Sequence, residues 1–174
     1  SVLDGKVTIG DEFDSVDWSA EKARAGMETA ITTLGAEKII GVYAANDGTA
    51  GGAIEALKSA GVTTLPPVTG QDAEIAAIQR ILSGEQYSTI YKAIKPQATV
   101  AADMAVAAAT GVRYSGQATT FTDNGTVKVA SVLLPPVVVT RGNVKETVVA
   151  DGFYTAPQLC TGVYASACHE VGIF

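Results

Sequence analysis

The sequence is poor in the residues that carry chemistry. It has one histidine, two cysteines and one tryptophan among 174 residues. It holds no G-x-S-x-G and no H-E-x-x-H, so neither a nucleophile–base pair nor a zinc helix announces an enzyme. Positive charge is scarce as well: 12 Lys and Arg stand against 18 Asp and Glu, a net charge of −6. Binding along phosphates needs a basic face, so nucleic acid is excluded as the main partner. No apolar run reaches the roughly 18 residues of a membrane span. The strongest, "VLLPPVVV" at 132–139, is broken by Pro135 and Pro136. No leader peptide is visible, as expected of a processed product or a partial chain.

What is present is globular in type, with 47% apolar and 17% charged residues, enough for one medium domain with a core. "KVTIGDEF" (6–13) alternates and reads as a strand. The next segment puts Ala23, Met27, Ala30, Ile31 and Leu34 on one helical stripe, with Ser19 as N-cap and Gly35 as stop. "KIIGVYAA" (38–45) is a continuous apolar run, expected of a strand buried on both faces. Helices at 48–60 and 73–83 follow, ended by Gly61 and Gly84, with a short strand candidate at 63–70 between them and another at 87–94. Gly51, Gly52 and Ala53 read as small residues that let a helix pack closely on the sheet. The alternation predicts βαβ units, hence an α/β fold with a parallel sheet.

After Lys95-Pro96 the texture changes. An alanine-rich helix is expected at 97–110, a turn at Asp123-Asn124-Gly125, a strand at 137–140, a short helix at 141–152 capped by Asn143, and a loop-like tail from 153. Cys160 and Cys168 lie in that tail, and the expectation is a local disulfide, which suits an exported protein. Unpaired thiols, or a metal site shared with His169, are the other readings.

In open parallel sheets, ligands bind beyond the carboxyl ends of the strands. The polar residues there are Asn46 and Asp47 after 38–45, Gln71 and Asp72 after 63–70, and Lys92 at the end of 87–92, with Trp18 just before the first helix. An amide, a carboxylate, an ammonium and an indole on one rim suit a neutral polyhydroxylated ligand. Asp47 reads as the N-cap of its helix, and Asp72 as a ligand contact. "DGTAGG" is no phosphate loop, and Asp47 would oppose an anion there.

"AANDGTAGGAIEALKSAG", "TGQDAEIAAIQRILSGEQYSTIYKAI" and "VTRGNVKETVVADGF" together resemble the type I periplasmic sugar-binding proteins of ABC transporters, in particular the D-xylose-binding proteins. The resemblance covers residues 5 to 155. It implies two α/β lobes joined by crossing strands, with the sugar between them and Trp18, Asn46, Asp72 and Lys92 lining the pocket. Residues 1–91 and 136–174 would form the C-terminal lobe. Residues 92–135 would belong to the N-terminal lobe, whose main body this chain lacks. The implied function is non-enzymatic. A monosaccharide, xylose or a related aldose, would be delivered to a membrane permease, with no cofactor and no metal, in the periplasm or outside the cell, lipid-anchored in one form. The alternative is the effector domain of a sugar-responsive transcription regulator. Two departures stand out: the cysteine-bearing tail, and Gly48 where alanine is expected.

Overall fold

The computed structural model describes residues 4–112 and 120–174. The chain divides into two compact units, Ser1–Tyr91 with Val137–Phe174, and Lys92–Pro136.

In the first unit, helix α1 spans Ala20–Leu34. Ser19 caps it, Oγ accepting from Lys22 N at 3.3 Å, and Gly35 ends it at φ +87°. Ala23, Met27 and Ala30 form its buried stripe. Helix α2 spans Asp47–Ser59 and buries Ala53, Ile54 and Leu57. A Cβ on Gly52 would sit 2.0 Å from the Ala20 carbonyl oxygen. The close approach expected between helix and sheet is therefore, at this glycine, one between helices α1 and α2. Helix α3 spans Ile75–Ser83 and ends at Gly84 in the left-handed region. It starts two residues later than the sequence suggests, because Asp72 and Ala73 sit at φ +99° and +53°, outside any right-handed helix.

The parallel part of the sheet is sparse. Val42 and Val68 form an isolated parallel bridge, with Val42 N donating to Pro67 O at 2.9 Å and Thr69 N to Val42 O at 3.0 Å. Segment 38–45 is covered on one side only. Ile39 and Val42 pack against the core, while Ile40 and Tyr43 are exposed. The core beneath holds Ile54, Leu57 and Val68, all essentially inaccessible, each burial worth about 1.5–3 kcal/mol. Segment 6–13 forms no strand, since among the described residues no neighbour pairs with its backbone. Its Phe13 ring lies on Gly26, where a Cβ would come within 2.2 Å. Strand β1, Ser88–Tyr91, is the strand expected at 87–94, shortened. Tyr87 N donates to Val68 O at 2.9 Å and Asp72 N to Ile90 O at 3.0 Å, which lays β1 beside the 68–72 segment.

The second unit contains helix α4, Ile94–Thr110, and the antiparallel hairpin of β2, Thr120–Asp123, and β3, Lys128–Ser131. α4 starts three residues before the expected 97, taking Pro96 into its first turn, where the missing N–H costs nothing. At the hairpin, Gly125 takes φ +86° and Asn124 Oδ1 accepts from Thr126 N and Val127 N. Among the described residues of this unit none is buried.

The chain returns to the first unit with β4, Val137–Thr140, antiparallel to β1 with Thr89 opposite Val139. The helix expected at 141–152 is a turn followed by a π-helical turn, Lys145–Val149. Asn143 does not cap it. Its Oδ1 accepts from Thr140 N at 2.8 Å and its Nδ2 donates to Val138 O at 2.9 Å, which fastens the end of β4 instead. The tail is not loop-like. Helix α5, Ala156–Leu159, and helix α6, Ala165–Glu170, are closed by a Cys160–Cys168 disulfide with Cα atoms 5.7 Å apart. Leu159 and Cys168 are fully buried, and Gln79 Nε2 of α3 donates to Leu159 O at 3.1 Å. These contacts, absent from any local periodicity, fold the tail onto α3.

Candidate functional site

The candidate site is built from two strand-end loops. At the first, Asn46 has an extended backbone (φ −149°, ψ 175°) and caps α2, Oδ1 accepting from Thr49 N at 2.9 Å and Thr49 Oγ1 at 2.7 Å. This reverses the expected roles, since Asp47 is not the cap. The cap uses the acceptor end of Asn46, so its Nδ2 donor takes no part in it.

Asp47 is the first residue of α2 and is completely buried. Its Oδ1 accepts from Gln86 Nε2 at 2.9 Å, and its Oδ2 accepts from Thr89 Oγ1 at 2.8 Å and Glu74 N at 2.9 Å. Gln86 is itself fixed, accepting from Arg80 Nε at 3.0 Å and donating to Ser88 O at 3.1 Å, while Arg80 Nη2 donates to Asp47 O at 2.8 Å. Burial pushes the Asp47 carboxyl above its ordinary value; the bonds from Glu74, Thr89 and Gln86 and the charge of Arg80 oppose that rise. A buried carboxylate is tolerated only with its lone pairs satisfied, and here three donors converge from two other parts of the chain, Glu74 and the 86–89 segment. Gly70 makes room for this: a Cβ there would lie 2.1 Å from Asp47 Oδ1 and 2.6 Å from Gln86 Nε2. Sequence reasoning missed Gln86, Thr89 and Arg80. The available signal was the polar residues Gln86, Ser88 and Thr89 inside the strand-like run "QYSTIY" (86–91).

The second loop is pinned at every residue from 71 to 74. Gln71 O accepts from Asp47 N at 2.9 Å, Asp72 N donates to Ile90 O at 3.0 Å, Ala73 N to Thr89 Oγ1 at 3.1 Å, and Glu74 N to Asp47 Oδ2. Asp72, exposed at the tip, sits at φ +99°. A non-glycine residue there stores roughly 1–3 kcal/mol, held only because its surroundings over-determine it.

Trp18 ends a 3-10 turn, Val16–Trp18, at φ +50°, and the residue is 71% exposed. A Cβ on Gly48 would lie 3.6 Å from Asn46 Nδ2 and 3.8 Å from Trp18 O, so Trp18 and Asn46 are neighbours at the start of α2. Those are ordinary contacts, and alanine at 48 fits without adjustment. Trp18, Asn46 and Asp72 thus belong to the first unit, on loops tied through Asp47 or adjoining it. Lys92 is exposed and opens the second unit, directly after β1. The Cys160–Cys168 bridge closes the tail that rests on α3.

Comparison with known proteins gives a consistent result. Residues 1–112 match the family model described as "Periplasmic binding protein domain". The chain is 42% identical over 156 residues to a D-xylose-binding periplasmic protein of Haemophilus influenzae, covering 88% of this chain and 46% of that one. It is similar to a carbohydrate transporter solute-binding protein from Chloroflexus aurantiacus in complex with D-glucose (TM-score 0.73, 32% identity, 82% of this chain and 42% of that one). It is equally similar to an ABC transporter solute-binding protein from Clostridium phytofermentans with bound β-D-glucose (TM-score 0.73, 30% identity, 91% and 52%). The chain spans about half the length of the curated relatives it matches.

Proposed function

Because this chain belongs to the periplasmic binding protein family, we propose that it supplies one lobe of a solute-binding protein that carries a monosaccharide, xylose or a related aldose, to an ABC transporter permease. The observation that carries this reading is the 2.9 Å bond from Asp47 N to Gln71 O. It joins the loops bearing Asn46 and Asp72 side by side at the ends of neighbouring sheet segments, where open α/β sheets bind their ligands.

In this reading the Asp72 carboxylate accepts from two sugar hydroxyls, and the Asn46 amide donates to a third oxygen. The exposed Trp18 indole covers the C–H face of the ring. Lys92, next in the chain after β1, donates from the crossover. Hydrogen bonds to charged groups are worth about 1.5–3 kcal/mol each, enough for two or three to orient a small ligand. The second unit, which buries none of its described residues, is the piece that completes the partner lobe. Sugar held between the lobes favours the closed form, which a permease on the periplasmic or extracellular side recognises. No catalytic step enters this reading. The relatives are named as periplasmic or transporter binding proteins, which leaves the transcription-regulator alternative without support.

Calorimetry of the protein carrying both lobes against a panel of pentoses and hexoses tests this. An aldose that binds with micromolar or tighter affinity supports the reading; a panel without a binder overturns it.

A further inference from the structure

We propose that Asp47 is the positioning residue for Asp72: it touches no ligand, and sets sugar affinity by holding the 71–74 loop in its left-handed conformation. The proposal rests on the sugar-binding reading above and adds to it a residue that lies beneath the site.

Asp47 brackets the loop from both ends. Its backbone amide holds Gln71 O and its side chain holds Glu74 N, so the two peptides flanking Asp72 and Ala73 are anchored to a single residue. The residues between them are fastened to β1, through Ile90 O and Thr89 Oγ1, and Thr89 is in turn aimed by its bond to Asp47 Oδ2. Without this frame, Asp72 at φ +99° has no reason to stay in a region that favours glycine.

The carboxylate is specifically required. Gln86 Nε2, Thr89 Oγ1 and Glu74 N all present hydrogens to it. Asparagine is nearly isosteric but turns one acceptor into a donor. Gln86 cannot rotate to meet it, because its Oε1 is held by Arg80 and its Nε2 also by Ser88 O. An amide at 47 therefore faces a donor whichever way it turns, Gln86 Nε2 in one orientation and Glu74 N with Thr89 Oγ1 in the other, and the frame under the loop is broken at that bond.

The test is sugar titration of the protein carrying both lobes, using D-xylose and D-glucose, on wild type, Asp47→Asn, Asp72→Asn and the double variant. Val148→Ala serves as a control that removes buried side-chain volume and none of these hydrogen bonds. At a temperature where circular dichroism shows each variant folded, Asp47→Asn should weaken binding about tenfold or more, and Val148→Ala should keep the wild-type affinity. Because Asp47 acts through Asp72, the double variant should bind no worse than Asp72→Asn alone. A folded Asp47→Asn protein with wild-type affinity, or losses that add in the double variant, overturns the proposal. Should Asp47→Asn not fold, Thr89→Val removes the bond to Oδ2 and the acceptor of Ala73 N, and carries the same two outcomes. Should wild type bind neither sugar, the titrations use the aldose found with the panel above, and a panel without a binder overturns the functional reading separately. Crystal structures of wild type and variant then decide the positioning claim: Asp72 reverting to negative φ supports it, and an unchanged loop overturns it.

Discussion

The amide of Asp47 donates to the carbonyl of Gln71 at 2.9 Å, joining two residues 24 positions apart in sequence. This bond, with the return bond from Glu74 N to the Asp47 carboxylate at 2.9 Å, turns two separate strand-end loops into one frame. The side chains proposed to meet the sugar, Asn46 and Asp72, stand on that frame; the residue that builds it is buried below them.

Replacing Asp72 by Asn and Asn46 by Ala should each weaken sugar binding about tenfold or more, since each would remove a bond to the ligand in the proposed site. Asn46→Ala should also lower stability by about 0.5–2 kcal/mol through loss of the α2 cap. Titration calorimetry on the two-lobe protein checks the first effect and urea unfolding the second. Unchanged affinity in both variants would show that the site is elsewhere.

Two glycines close together in the fold should respond oppositely. Gly70→Ala drives a methyl to within 2.1 Å of Asp47 Oδ1 and should cost about 1–3 kcal/mol. Gly48→Ala meets only ordinary contacts at 3.6 and 3.8 Å and lies inside α2, so it should gain about 0.4–1 kcal/mol. Denaturant midpoints measured side by side decide this, and equal effects would contradict the packing described for Gly70.

Alkaline pH should loosen the fold through Tyr91. Its phenol donates a short hydrogen bond to Asp151 Oδ2. Burial, with that bond and the Asp151 charge, raises its pKa from 10.0 to about 12. The folded value lies above the unfolded one, so this contribution is complete below pH 10.0 and is lost as pH rises through about 12. Unfolding free energy should therefore fall across that window, and Tyr91→Phe should flatten the fall. Tyrosinate absorbance showing every tyrosine ionising near its ordinary value would refute it.

Removing the Cys160–Cys168 bridge by a double serine substitution should destabilise the first unit by about 2–3 kcal/mol, the value for closing so short a loop. The tail holds α3 through the Gln79 bond to Leu159 O, and Arg141, which donates to Leu82 O at 2.8 Å, also pairs with Glu170 of α6. Thermal unfolding with and without reductant measures the effect. A melting temperature indifferent to reductant would mean that the tail contributes little.

Local signals read well where the structure is local. Ser19 and Gly35 bound α1 as capping chemistry requires, and the Asp123-Asn124-Gly125 turn sits at the hairpin tip. They read poorly where distant segments decide. The run 6–13 has a strand's pattern but no partner among the described residues, and a strand exists only by pairing. The tail has no helical period, yet its two short helices form because Leu159 and Cys168 are buried against α3 and the disulfide closes them.

The loop at Asn46-Asp47 separates the two kinds of information. The sequence by itself determined that two short polar side chains stand at a strand end before a helix, that a similar pair, Gln71-Asp72, follows the next sheet segment, and that the chain resembles sugar-binding proteins. It pointed to Asp47 as the cap, the wrong member of the first pair, because both residues have the chemistry of a cap. Tertiary structure alone made Asn46 the cap and buried Asp47. Gln86, Thr89 and Glu74, from 27 to 42 positions away in the chain, bring three hydrogens to one point, and only an ionisable carboxylate offers enough lone pairs to receive them all.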